Sequence, residues 1–106
     1  MKKKIVVLAG DGIGPEISAS ALKVMEAALG QTAKDFEWTN YAFGGAGIDE
    51  KGAPLPEETL TACHQADAIL LGAIGGPKWE KAEQTPEMGL LALRKALNLF
   101  ANIRPI

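Results

Sequence analysis

Residues 4–16 read KIVVLAGDGIGPE, and this stretch decides the fold class. Residues 4–9 form a continuous, largely β-branched apolar run, which is the pattern of a strand buried on both faces. A glycine-rich turn follows. Pro15 and Glu16 then suit the first turn of a helix, where a missing N–H costs nothing and the helix dipole favours a carboxylate. A buried strand that leads into a helix predicts the start of an α/β layer.

The helix that begins near Pro15 is predicted to end near Leu29, with Gly30 as its stop. Its apolar residues, placed at about 100° per residue, predict one buried stripe. That stripe consists of Ile17, Ala21, Val24 and Ala28.

Strands and helices keep alternating along the rest of the chain. The predicted elements are a strand over 36–43, a polar turn over 49–52 after a glycine cluster at 44–47, a helix over 56–66, a strand over 68–73, a helix from Pro86 and a last strand over 99–105. This order predicts an α/β fold with a mostly parallel sheet and crossover helices. Such sheets bind ligands outside the carboxyl ends of their strands, where residues 10–14 and 72–79 both fall.

Composition narrows the class of protein. Hydrophobic residues make up 47% of the 106 residues and charged residues 23%, which is an ordinary globular balance. A formal net charge of -2 gives no electrostatic basis for binding nucleic acid or a membrane. The single cysteine, Cys63, cannot form an internal disulfide, and there is no Cys/His cluster for a metal. Since no segment has the length of a membrane span, we expect a cytoplasmic protein.

Two glycine-rich turns are candidates for ligand contact. GDGIGPE could cradle a phosphate, but its glycines do not match the dinucleotide fingerprint G-x-G-x-x-G, and a plain tight turn is the favoured interpretation. GAIGGPKWE, residues 72–80, has three glycines in five residues and supplies a cation and a flat ring in Lys78 and Trp79. Close approach to a ligand and a flexible surface loop with a partly buried tryptophan both remain open for it.

The helix after Pro86 has the most informative spacing. Leu90, Leu93 and Leu97 share one stripe, which is predicted to face the core. A second stripe beside it carries Glu87, Leu91 and Arg94.

A solvated face would explain a lone arginine, but Arg104 follows at the end of the last predicted strand. Arginine is rarely buried without an anion. Two guanidinium forks, those of Arg94 and Arg104, match the two carboxylates of a malate-like dianion. His64 and Cys63 are interpreted as an ordinary helix-end pair.

Five segments, in this order, resemble the isocitrate/isopropylmalate dehydrogenase family of β-decarboxylating dehydrogenases: GDGIGPE, FGGAGID, LLGAIGGPKWE, GLLALRK and FANIRP. The resemblance covers essentially the whole chain and is strongest to the isopropylmalate branch. It implies a fold distinct from the Rossmann type. It also implies oxidation of (2R,3S)-3-isopropylmalate by NAD, with loss of CO2 to give 4-methyl-2-oxopentanoate in leucine biosynthesis. A Mg or Mn ion and a homodimer are implied as well.

The resemblance assigns roles to residues of the second half. Arg94 and Arg104 match substrate-carboxylate arginines, and Leu90 and Leu91 would contact the isopropyl group. The stretch that matches the cofactor-contacting loop consists of Gly76, Pro77, Lys78, Trp79, Glu80, Lys81, Ala82, Glu83, Gln84, Thr85, Pro86 and Glu87, with Glu87 near the nicotinamide.

Residues 87–94 carry no hydroxyl or amide where isocitrate enzymes meet a third carboxylate. An apolar patch there favours isopropylmalate, because burying an unpaired carboxylate is costly.

Residues 1–106 are expected to be the N-terminal portion of the first α/β domain. The family's catalytic Tyr and Lys and its metal-binding aspartates have no match in this chain, so the chain alone is expected to be inactive. Three alternatives remain open: a related dehydrogenase acting on isocitrate or tartrate, a non-catalytic anion- or nucleotide-binding module, and a fragment without a function of its own.

Overall fold

The computed structural model of the protein describes residues 2–101 and 103–105. Three strands, β1 (Lys3–Gly10), β2 (Phe36–Asn40) and β3 (Ala68–Ala73), form a parallel sheet in the order β2-β1-β3. β1 lies in the centre and pairs with both neighbours. Because parallel strands need crossover connections, helices link them, and the predicted α/β class is confirmed.

Four α-helices and two short 3-10 segments complete the described chain. The bounds of β3 are those predicted, and the predicted ends of the first and third helices hold to within one or two residues. The helices are α1 (Gly14–Leu29), α2 (Gly45–Lys51), α3 (Glu57–Gln65) and α4 (Pro86–Ala96), and the 3-10 segments are Gly30–Asp35 and Pro77–Trp79.

The main core lies on the sheet face that α3 and α4 cover. Alternate residues of β1 point to this face and pack against side chains from three other parts of the chain. Leu90 of α4 and Leu97, directly after its end, pack at the margin of this core, so the predicted inward stripe of that helix is confirmed. The buried cluster consists of Val6, Leu8, Phe43, Cys63 and Leu93.

The predicted buried stripe of α1 is wrong: Ile17, Ala21, Val24 and Ala28 are all exposed. The helix instead turns Gly14 and Ser18 toward the sheet, which is the neighbouring stripe, one residue further along. The cause is close approach at the start of α1. A side chain at Gly14 would strike the backbone of Ala9 and Ala73, so the helix can lie this near the sheet only through its small residues.

The predicted polar turn at 49–52 is also wrong, because residues 45–51 form the helix α2. Gly44, at φ 67°, changes the chain direction, and Gly52, at φ 77°, ends the helix in the left-handed conformation. The strand predicted over 36–43 ends earlier, at Asn40. Phe43 beyond it is fully buried in the core.

The last predicted strand, over 99–105, is absent from its described residues, 99–101 and 103–105. Asn102 lies outside the described residues. Asn98 adopts φ 56°, which turns the backbone out of α4. Phe100 is 99% exposed and Ile103 is 85% exposed, and no neighbouring strand of the described chain lies beside this segment to complete a ladder.

Candidate functional site

The two glycine-rich turns meet at the carboxyl end of the sheet. The backbone N–H of Asp11, just after β1, donates to the carbonyl of Ala73 at the end of β3, 2.7 Å away. Gly10, at φ +84°, permits this contact, because a side chain there would strike the Ala73 carbonyl. The strand ends therefore form one surface, in the position where parallel α/β sheets bind ligands.

Asp11 is the buried charge at this surface, with 5% of its area exposed. Its carboxylate accepts backbone N–H bonds from Gly45 at 2.7 Å, from Ala46 at 2.7 Å and from Gly75 at 3.0 Å. Bonds to an ionised acceptor are the strong kind, and three of them satisfy a carboxylate that has left water. Sequence reasoning did not single out Asp11. The available signal was an acidic residue between two glycines directly after a buried strand.

The loop after β3 packs against α2. The ring of half-buried Trp79 lies over Gly45, where an added Cβ would collide with it. Lys78 forms an ion pair with Asp49 at 3.1 Å, and its ammonium also lies 5.3 Å from the centre of the Trp79 ring. The tryptophan is partly buried, as one of the two open interpretations expected. Ligand contact by this loop stays a prediction.

A cleft of about 420 Å³ opens between this loop and the start of α4. It brings together half of the predicted cofactor-contacting residues, whereas Lys81, Ala82, Glu83 and Gln84 are exposed beside it. Its lining consists of Gly76, Pro77, Trp79, Glu80, Thr85 and Glu87.

Glu87 lies close to the loop rather than pointing freely into solvent. A Cβ added at Gly75 would lie 2.5 Å from Glu87 Oε1. Gly75 has φ +97°, a backbone conformation that favours glycine. The structure therefore brings Glu87 beside the glycine turn that Asp11 holds.

The outward side of α4 carries the predicted substrate residues. Leu91 is 64% exposed, Glu87 is exposed and Arg94 is half-buried, so the second stripe lies outside the core as predicted. Leu90 packs partly against the core.

Arg94 lines a second cleft, of about 290 Å³, together with residues 99–101 and 103. Arg104 is exposed. The expectation that Arg104 ends an apolar strand is wrong, because that strand is absent from the described residues. Its pairing with Arg94 around an anion stays a prediction.

The remaining titratable candidates have ordinary positions. Cys63 is buried in the core and His64 is exposed in the last turn of α3, as expected for a helix-end pair. In residues 2–101 and 103–105, no group of three or more His, Cys, Asp or Glu side chains could hold a metal ion. In the same residues, no helix is long and apolar enough to cross a membrane.

The parallel sheet with helices defines the class as an α/β protein, and its glycine turns lie at the carboxyl edge, where such sheets commonly bind ligands. A sequence model of the family described as isocitrate/isopropylmalate dehydrogenase matches residues 4–106. The chain belongs to this family.

Two curated relatives are close in sequence. A 3-isopropylmalate dehydrogenase of Listeria innocua is 65% identical over 106 residues, which is 100% of this chain and 30% of the relative. One of Streptococcus mutans is 62% identical, over 98% of this chain and 30% of the relative. The chain therefore spans about 30% of the length of the curated relatives it matches.

Two solved structures share the fold. A β-decarboxylating dehydrogenase from Thermococcus kodakarensis in its apo form aligns with TM-score 0.73 and 33% identity, over 92% of this chain and 27% of that one. An isocitrate dehydrogenase from Methylococcus capsulatus aligns with TM-score 0.76 and 33% identity, over 93% and 27%.

Proposed function

We propose that this chain provides the substrate- and cofactor-facing part of an oxidoreductase that converts (2R,3S)-3-isopropylmalate to 4-methyl-2-oxopentanoate and CO2 with NAD, in leucine biosynthesis. The 62–65% identity to 3-isopropylmalate dehydrogenases supports this substrate over isocitrate, since the aligned isocitrate dehydrogenase is 33% identical.

The observation that carries the proposal is the outward side of α4. An exposed leucine, Leu91, lies between a carboxylate, Glu87, and a guanidinium, Arg94. Burying Leu91 against an isopropyl branch would be favourable, whereas a carboxylate branch there would lose water without gaining a partner. Leu90, on the edge of the same side, would extend the apolar contact.

The two arginines would bind the substrate's carboxylates. Arg94 is half-buried beside the second cleft, where a charge-assisted pair would be stronger than on an open surface. Arg104 would supply the second donor fork. Neither residue moves a proton in this proposal, because both bind and orient the dianion.

The loop over residues 76–87 is proposed to contact NAD. A bare glycine, an indole ring and a carboxylate line its cleft, whose volume suits part of a dinucleotide. When bound, NAD supplies the hydride acceptor for the alcohol carbon. The chain's own contribution is to place Trp79 and Glu87 against the cofactor and to keep the substrate's reacting carbon beside it.

A divalent metal does not fit the described part of this chain, where no suitable group of ligands exists, and no step of the reaction is assigned to a metal. The chain is proposed to act as the N-terminal portion of the first α/β domain of a longer enzyme. The metal ligands and the catalytic Tyr and Lys would come from the rest of that enzyme. Homodimeric assembly and a cytoplasmic location belong to the same proposal.

The experiment replaces the matched 106 residues of the Listeria innocua enzyme with this chain. We expect the chimera to form NADH when 3-isopropylmalate is added and the 106-residue chain alone to form none. In the chimera, Arg94→Gln should lower kcat/KM by about 10- to 100-fold, since it removes a charged hydrogen-bond donor worth about 1.5–3 kcal/mol.

Lys95→Gln is the matched control, because it removes one positive charge from the next, exposed position of α4. It should leave kcat/KM within about twofold. An inactive but folded chimera, or equal losses from the two substitutions, would contradict the proposal.

A further inference from the structure

Two glycine motifs have no part in the function proposed above. GDGIG follows β1, and FGGAG leads into α2. Both have backbone N–H groups at positions that in other proteins cradle a phosphate. In this chain, the N–H groups of Gly45 and Ala46 point instead to the carboxylate of Asp11.

The Asp11 carboxylate joins two segments that are otherwise separate in sequence. One of its oxygens accepts from both Gly45 and Gly75, and the other accepts from Ala46. Gly44 leaves room for this, since a Cβ there would lie 2.9 Å from Asp11 Oδ2. A neutral amide could not replace it, because the side-chain NH2 group would face a backbone N–H.

The other links between the loop and α2 are weaker. The Lys78–Asp49 ion pair is exposed at both ends, and exposed pairs contribute little. Trp79 covers Gly45 and adds an apolar contact. Asp11 is the buried side chain among them, with 5% of its area exposed; its bond from Gly45 is buried and those from Ala46 and Gly75 are partly buried, so water competes for them less than for the exposed ion pair.

We propose that Asp11 is a positioning residue: its carboxylate serves as an internal anion that holds the turn at Gly75, and thus Trp79 and Glu87, in place against α2. The amides of Gly45, Ala46 and Gly75 are then satisfied from within the chain. That the positioned loop contacts NAD rests on the proposed function; that Asp11 positions the loop does not.

Amide hydrogen exchange of the 106-residue chain tests the positioning. In the unsubstituted chain, the amides of Gly45, Ala46 and Gly75 should exchange at least tenfold more slowly than exposed loop amides. Asp11→Asn keeps the shape of the side chain. It should raise exchange at one or more of these three amides at least tenfold relative to the central-strand amide of Val7.

Asp11→Ala should free all three amides, and added formate should restore their slow exchange by supplying the missing carboxylate. Thr59→Val is the control for a general loss of stability. Thr59 is fully buried, and its hydroxyl donates to the Ala42 carbonyl at 2.7 Å. This substitution should raise exchange at Val7 and at the three amides by the same factor. If Asp11→Ala does not fold, the exchange of Asp11→Asn and of the unsubstituted chain still tests whether Asp11 positions the loop.

Fast exchange of the three amides in the unsubstituted chain would overturn the proposal, as would an Asp11→Asn pattern equal to that of Thr59→Val. The chimera adds a second readout. Asp11→Asn should raise KM for NAD at least tenfold while KM for 3-isopropylmalate changes less than threefold. Equal changes in both would overturn the link to the cofactor. An inactive chimera would count against the proposed function, whereas the exchange pattern would still decide the role of Asp11.

Discussion

The two faces of the sheet differ in how completely helices cover them. On the face under α3 and α4, Leu8, Phe43 and Leu93 are 0–4% exposed. On the face under α1, Val7 is buried, but Val24 on the helix itself is 68% exposed. The first face is a fully packed core, and the second is covered only where small residues of α1 meet the strands.

This difference shows what an apolar stripe in a sequence means. Such a stripe indicates that a helix face is suited to burial, but it does not identify the surface that buries it. Beside α1, an apolar cleft of about 340 Å³ remains open, lined by Ile5, Met25, Ala28, Leu29, Phe36, Trp38, Ala68, Ile69 and Leu70. The contrast leads to three predictions about stability, ordered by the size of the expected effect.

The largest effect on stability is expected on the face under α3 and α4. Leu93→Ala should lower the free energy of unfolding by about 2–5 kcal/mol, because Leu93 is 4% exposed and its removal leaves a cavity among packed side chains. Urea denaturation followed by circular dichroism measures it. A loss below about 1 kcal/mol would mean that this face is not the main core.

Cys63 gives a pH-dependent test of the same face. Burial raises the pKa of the Cys63 thiol above its ordinary value of 9.0. The unfolded thiol therefore loses its proton at lower pH than the folded one, so the unfolding free energy should fall as pH rises past about 9, by at most about 1.4 kcal/mol per pH unit. Denaturation midpoints between pH 8 and pH 10.5 measure this slope. Cys63→Ala should have a shallower slope; an identical slope would show that the thiol does not contribute.

The smallest effect is expected on the α1 side. Val24→Ala should change the unfolding free energy by no more than about 0.5 kcal/mol, because an exposed side chain gives up little buried area. The same denaturation measurement applies, with Leu93→Ala as the reference. A loss comparable to that of Leu93→Ala would mean that another surface covers α1 in solution.

The sequence was sufficient to predict the elements whose local apolar pattern matches the burial in the folded structure. The bounds of β3 and the inward stripe of α4 belong here, because apolar spacing and burial point the same way in both. The helix α2 was missed because two of its seven residues are glycine, a poor helix former. The first amides of that helix donate to the carboxylate of Asp11, 34 positions away from Gly45, a contact that no local pattern indicates.

Long-range contacts also explain the other differences. The strand expected near Phe100 has an alternating pattern, but a strand needs a neighbour, and the described chain offers none at that position. Only part of the candidate site was predicted, because its other part depends on long-range contacts. The outward stripe of α4 is local and could be predicted directly, whereas the role of Asp11 depends on two loops that meet only after folding.

The most direct test concerns Leu91, whose position between Glu87 and Arg94 is the observation that supports 3-isopropylmalate as the substrate. In the chimera, Leu91→Ser should lower kcat/KM for 3-isopropylmalate by about 10- to 100-fold, the size expected for lost apolar contact with a branched group. Ala92→Ser is the matched control, since Ala92 is exposed and lies about 100° around α4 from Leu91, on the side away from Leu90, and it should change kcat/KM less than about threefold. Equal values for the Leu91→Ser and unsubstituted chimeras would contradict the account.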